Sequence, residues 1–246
     1  MPSNEERERA ALEVVEQPWD LFIRDWRLKR GEHLTILGPT GTGKTTLGLQ
    51  LLGKSRHVAM LATKPRDPFY GELQRRGWTR VSRWPRSYEE DSRGRVRLLV
   101  HIPTATPQQV PASRRIAQEM CERISTHGDM TLFIDELMFA SDPRWLALGP
   151  HLELGWQQWR TAKNSIVAAA QRSSHVSLLA YDQVTHIFTA VENDLRNADR
   201  IGEMAGLDRW AVRDAVRGLA PFEWLHIETR AGGARRLETL RPPKLI

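Results

Sequence analysis

Gly38-Pro39-Thr40-Gly41-Thr42-Gly43-Lys44-Thr45-Thr46, entered from the apolar run His33-Leu34-Thr35-Ile36-Leu37, decides how the chain is read. Gly38 to Thr45 has the pattern G-x-x-x-x-G-K-[ST] without a gap, and both required flanks are present. His33 to Leu37 reads as a buried strand, and Gly43 to Leu52 reads as a helix. The glycines open backbone conformations closed to other residues, so that consecutive N–H groups turn inward around a phosphate at a helix N-terminus. The spacing therefore assigns Gly38 to Thr46 to nucleotide binding, with Lys44 reaching the β- and γ-phosphates of ATP and Thr45 holding Mg²⁺.

A second apolar run ends in acid. Thr131-Leu132-Phe133-Ile134-Asp135-Glu136 is what a central strand delivering carboxylates to its C-terminal edge looks like. Asp135 is expected in the Mg²⁺ shell. Glu136, one position further on, is expected to polarise the water that attacks the γ-phosphate, which a plain binding switch does not need. Ser165 to Ala170 is a third small, apolar strand, and it finishes at Gln171, which is expected near the γ-phosphate as a sensor.

Around these three strands the pattern alternates. Strands are expected at His57 to Ala62, Leu98 to Ile102 and Val184 to Ala190, and helices at Val110 to His127, Leu152 to Lys163, Asp194 to Met204 and Arg209 to Leu219. Glu223 to Thr229 and Arg236 to Leu240 read as a hairpin about Ala231-Gly232-Gly233, and Tyr70 to Arg97 as an irregular insertion or a short helix with a loop. This order implies an α/β fold of the P-loop NTPase class: a mainly parallel central sheet, helices on both faces and a C-terminal β-hairpin. Residues 1–17 read as a polar leader, helical over Asn4 to Val15, and 18–246 as one domain. Within it, 201–240 alternatively reads as a winged-helix module with Arg209 and Arg213 forward.

Composition narrows the setting. Thirty-six Lys and Arg against 30 Asp and Glu give a net charge of +6, and the stretch from Lys64 to Arg97 carries ten basic residues against five acidic ones, which favours a polyanionic partner. Lys64, Arg66, Arg83 and Arg86 are the candidate contacts to DNA phosphate, while Trp78 and Trp84 are expected to pack under long side chains. The single cysteine, Cys121, forms no internal disulfide and reads as a helix-face residue. The most apolar stretch, Met130 to Ala140, is short and has Asp135 and Glu136 in its middle, so no membrane span and a cytoplasmic location are expected.

With those residues placed, the chain resembles the FtsK/HerA superfamily of DNA-pumping ATPases, in the compact form found in phages and mobile elements. The resemblance runs from about Trp26 to Thr229. It rests on Gly31-Glu32-His33 before the phosphate loop, on Ile134-Asp135-Glu136, on Trp159-Arg160-Thr161-Ala162, and on the strand ending Ala170-Gln171-Arg172-Ser173. Trp159 and Asn164 stand where that family carries glycines, and Ser173 where it carries proline. The resemblance implies a hexameric ring on double-stranded DNA in which Arg160 reaches a neighbouring subunit's ATP. It further implies genome packaging or mobile-element transfer, with a capsid-vertex or transfer-complex partner, in the host cytoplasm or docked at a procapsid or membrane. The alternative is an assembly or regulatory switch ATPase, zonular-occludens-like or otherwise, that does not move DNA. A GTPase is disfavoured, because Thr63-Lys64-Pro65-Arg66-Asp67 has the wrong spacing and place for guanine recognition.

Overall fold

A computed structural model describes residues 14–64, 67–102, 106–177, 180 and 182–230, together with the backbone of 233–238. Ten strands form one sheet: β1 (Val14–Pro18), β2 (His33–Leu37), β3 (His57–Ala62), β4 (Thr79–Val81), β5 (Val96–His101), β6 (Thr131–Ile134), β7 (Ser165–Ala170), β8 (Val184–Thr189), β9 (Glu223–Glu228) and β10 (Gly233–Glu238). Their order is β1-β10-β9-β8-β2-β7-β6-β3-β5-β4. From β8 to β4 every pairing is parallel, and β9 is antiparallel to both of its neighbours.

Eight described helices connect them: α1 (Trp19–Asp25), α2 (Lys44–Leu51), α3 (Pro68–Arg75), α4 (Val110–His127), α5 (Leu137–Ser141), α6 (Gly149–Gln158), α7 (Leu195–Ala205) and α8 (Arg209–Arg217). The strand period of two divides the core into two layers. On β3, Val58, Met60 and Ala62 face Phe22, Leu47, Leu51 and Leu73 of α1 to α3, whereas Ala59 and Leu61 join the layer of Ala117, Met120, Trp156, Ile201 and Val212 from α4, α6, α7 and α8. Both faces are covered, which is why β2, β6 and β7 are buried at every position. No described helix is long and apolar enough to cross a membrane.

Most expected elements are found within a few residues. Three differ for physical reasons. The helix expected over Asn4 to Val15 lies outside the described residues up to 13, and Val14 and Val15 are strand: β1 pairs in parallel with β10, a partner more than 200 residues away that local composition cannot announce. Residues 70–97 hold the short helix of one expected alternative, α3, and add the edge strand β4, whose three residues pair with Leu98 to Val100. The helix expected to Lys163 stops at Gln158 and closes in turns, because Lys163 takes a positive φ of 59° and Asn164 turns inward. As for the winged-helix alternative, β9 pairs with β8 and extends the central sheet, so the hairpin is part of that sheet.

Candidate nucleotide site

Parallel strands present their C-terminal ends on one edge, and the strand order puts β2, β7 and β6 side by side there. Leu37 is level with Ala170 on one side and Thr189 on the other, and Ile134 is level with Ala168. The phosphate loop is anchored to both neighbours of β2: Gly38 N–H donates to Ala170 O at 3.2 Å, and Leu37 O accepts from Ala190 N–H at 2.9 Å. A Cβ on Gly38 would come within 2.9 Å of the Ala190 Cβ and 3.0 Å of Thr42 Oγ1, so the close approach requires glycine. Gly43, in the left-handed region at φ 90°, turns the chain into α2, and Thr42 Oγ1 ties the loop across to Pro39 O at 2.9 Å. Thr45 and Thr46 lie in the first turn of that helix, and Pro39, Thr40 and Gly41 form the exposed crest of the loop.

The Lys44 ammonium donates to Gly38 O at 2.7 Å and Pro39 O at 2.8 Å, inside the curl of the loop. Burial lowers its pKa, while the carboxylates of Glu136 and Asp135 pull in the opposite direction. Asp135 is buried, and burial raises its pKa against the hydrogen bond from Thr63 Oγ1 to Oδ1, 2.8 Å, and the Lys64 ammonium 3.7 Å from Oδ2. Glu136 leaves the strand at the start of α5, and Gln171 Nε2 donates to its Oε2 at 2.8 Å, so the residues at the ends of β6 and β7 meet.

The remaining sequence candidates fall elsewhere. Arg160 is exposed and sits before β7, beside Gly31 at the start of β2: a Cβ on Gly31 would meet the Arg160 carbonyl oxygen at 2.8 Å. That is the opposite edge of the sheet, roughly 20 Å from Gln171 for a six-residue strand. Lys64, taken in sequence as a DNA contact, instead points its ammonium at Asp135. Arg66 lies outside the described residues. Arg83 and Arg86 are exposed on the segment that follows edge strand β4, while much of the surrounding basic surplus is engaged: Arg75 and Arg76 with Glu72, Arg95 with Asp91, and Arg97 with three carbonyls. Trp84 is buried with Nε1 donating to Tyr88 Oη, and Trp78 is half-buried and packs on the α2 and α3 layer. Cys121 is buried on α4, its thiol pushed up to about 12 by burial.

Thr63 and Tyr70 are site residues that the sequence reading does not include, and Lys64 is one that it places on DNA instead. Tyr70 Oη accepts from Lys64 N–H at 3.2 Å and fixes the end of β3 beside Asp135. The signal was available, since any residue that directly follows a buried parallel strand reaches the same edge as Asp135.

The fold and the loop define a P-loop nucleotide-binding domain. No family model and no curated protein matches the chain. Among solved structures it is similar to the genome packaging NTPase B204 from Sulfolobus turreted icosahedral virus 2 in complex with AMPPCP, with TM-score 0.59 and 11% identity, covering 87% of this chain and 100% of that one. VirB4 of Thermoanaerobacter pseudethanolicus gives TM-score 0.59 at 11% identity over 87% and 91% of the two chains. The plasmid coupling protein TrwB, in complex with a non-hydrolysable GTP analogue, gives 0.54 at 12% over 90% and 92%. The chain thus shares the fold of these nucleotide-binding proteins.

Proposed function

We propose that this chain hydrolyses ATP and uses it to move double-stranded DNA through an oligomeric ring. The observation that carries the chemistry is the Gln171–Glu136 hydrogen bond, which joins the neutral amide at the end of β7, beside the phosphate loop, to the carboxylate at the end of β6. A carboxylate held from one side keeps its other oxygen for a water, and Glu136 is placed to polarise the water attacking the γ-phosphate. Lys44 would leave its two loop carbonyls for the β- and γ-phosphates, exchanging neutral acceptors for charged ones. The backbone amides from Gly43 to Thr46, at the N-terminus of α2, would hold the β-phosphate.

The site fits a divalent cation. The buried Asp135 carboxylate already has an ammonium facing one oxygen, and Thr45 lies in the first turn of α2. These two residues would hold Mg²⁺, which would neutralise phosphate charge. Arg160, on the far edge of the sheet, reaches no γ-phosphate of its own subunit. Its role as a finger belongs to a neighbour's site, and this requires a ring; a hexamer is the form we favour.

The motor reading is supported by likeness to a genome packaging NTPase and a plasmid coupling protein, and by the exposed Arg83 and Arg86 as sequence-independent phosphate contacts. The setting we favour is the cytoplasm of a host cell, with a capsid vertex or a transfer complex as partner. Steady-state turnover with and without linear duplex DNA, at low and moderate salt, alongside molar mass by light scattering, tests this reading. DNA-stimulated, salt-sensitive turnover in a ring-sized species is expected. Turnover by a monomer indifferent to DNA would leave an ATPase and sink the motor in favour of the switch.

A further inference from the structure

The cation nearest Asp135 is not the lysine of the phosphate loop. Lys44 donates to two carbonyls of its own loop, while Lys64 brings its ammonium to 3.7 Å from Asp135 Oδ2. The two partners differ sharply in exposure: the Asp135 side chain is 1% exposed and that of Lys64 54%. The carboxylate is therefore fixed and dry, with Thr63 on its other oxygen, whereas the lysine reaches in from solvent on a flexible stem. The main chain beneath Lys64 is held by its N–H to Tyr70 Oη, and Asp67 caps α3 by accepting from Phe69 N–H at 3.0 Å.

We propose that Lys64 is a built-in counter-cation for the metal carboxylate: it neutralises Asp135 until a divalent metal arrives with nucleotide and is then displaced. The inference rests on the nucleotide-site reading above and deepens it. A buried carboxylate without a partner is costly, and an exposed ammonium can leave at little expense, so the pair stabilises the metal-free site and opposes its loading. Displacement frees the Lys64 side chain to answer the nucleotide state. The expectation runs against intuition: removing a basic residue from a polyanion site should tighten it.

The test uses Lys64→Gln with the charge-retaining Lys64→Arg as control, in the full chain. Thermal unfolding is followed in chelator and in saturating Mg²⁺ with AMPPCP. In chelator, Lys64→Gln should melt about 2–4 °C below wild type and Lys64→Arg close to it. With Mg²⁺-AMPPCP the deficit should close, which by linkage means a Kd for Mg²⁺-AMPPCP about fivefold tighter than wild type. In an Asp135→Asn background, Lys64→Gln should have no effect in chelator. Three results overturn the proposal: no deficit in chelator, the same deficit with ligand, or weaker ligand binding by Lys64→Gln. If wild type itself gains no stability from Mg²⁺-AMPPCP, the nucleotide reading fails, and the displacement with it. If wild type is stabilised and Lys64→Gln behaves identically, only the role of Lys64 falls.

Discussion

Gly48→Ala separates tertiary packing from helix propensity, because the two predict opposite signs. Gly48 lies in the middle of α2, where alanine is favoured over glycine by about 1 kcal/mol in a free helix. In the folded protein a Cβ at this position would stand 2.6 Å from Phe133 Cζ, 2.9 Å from Phe133 Cε2 and 3.2 Å from Ile36 Cδ1, with both side chains fully buried. Ordinary carbon contacts lie at about 3.5–4.0 Å, so the ring or the helix must yield by roughly 1 Å. Overpacking of this kind costs about 1–3 kcal/mol, which leaves a net loss on the order of 1 kcal/mol once propensity is subtracted. For a chain of this size that corresponds to about 2–4 °C in Tm. Thermal and urea unfolding measure it directly, and Phe133→Leu supplies the control, since in that background Gly48→Ala should be neutral or stabilising. A Gly48→Ala protein as stable as wild type or more so would refute the claim that α2 is pressed onto β6 with no room to spare. Because α2 begins at Lys44, the same variant should also weaken binding of an ATP analogue.

Lys44→Ala removes the one ammonium curled inside the phosphate loop and should weaken analogue binding by roughly 10–100-fold, read by titration. Glu136→Gln keeps the side chain's shape and should bind analogue normally while turnover falls by about 10²–10⁴-fold. Asn164 links three elements, its Oδ1 accepting from Met130 N–H and its Nδ2 donating to Ile124 O; Asn164→Ala should destabilise the fold by about 2–4 kcal/mol in urea unfolding. Acid should weaken the fold through His33, whose Nδ1 accepts from Ile166 N–H and whose pKa burial pushes down from 6.5 to about 4. With the folded value depressed, the unfolded chain takes up the proton first. The contribution of up to ~3 kcal/mol is therefore fully present above pH 6.5 and lost between pH 6.5 and 4. Urea unfolding against pH should show this slope in wild type and a flatter one in His33→Asn.

The sequence by itself determined the parts that are local or periodic. A gapless loop motif between an apolar strand and a helix, and buried strands ending at Asp135 and Gln171, need no partner to be recognised, because their signals are spacing and hydrophobic run length. The helix Val110–His127 and the strands His57–Ala62 and Ser165–Ala170 are legible to the residue for the same reason. Their adjacency belongs to the tertiary structure. Only the strand order brings the end of β7 between those of β2 and β6, so that Gln171 meets Glu136, and sends Arg160 to the far edge. Lys64 shows the limit most clearly. As one basic residue in a basic stretch it reads as a DNA contact, yet the pairing of β3 with β6 lays it against Asp135, 71 positions away in the chain. Charge composition counts residues without regard to neighbours. What an ammonium does is set by the carboxylate that folding places within a few ångströms of it.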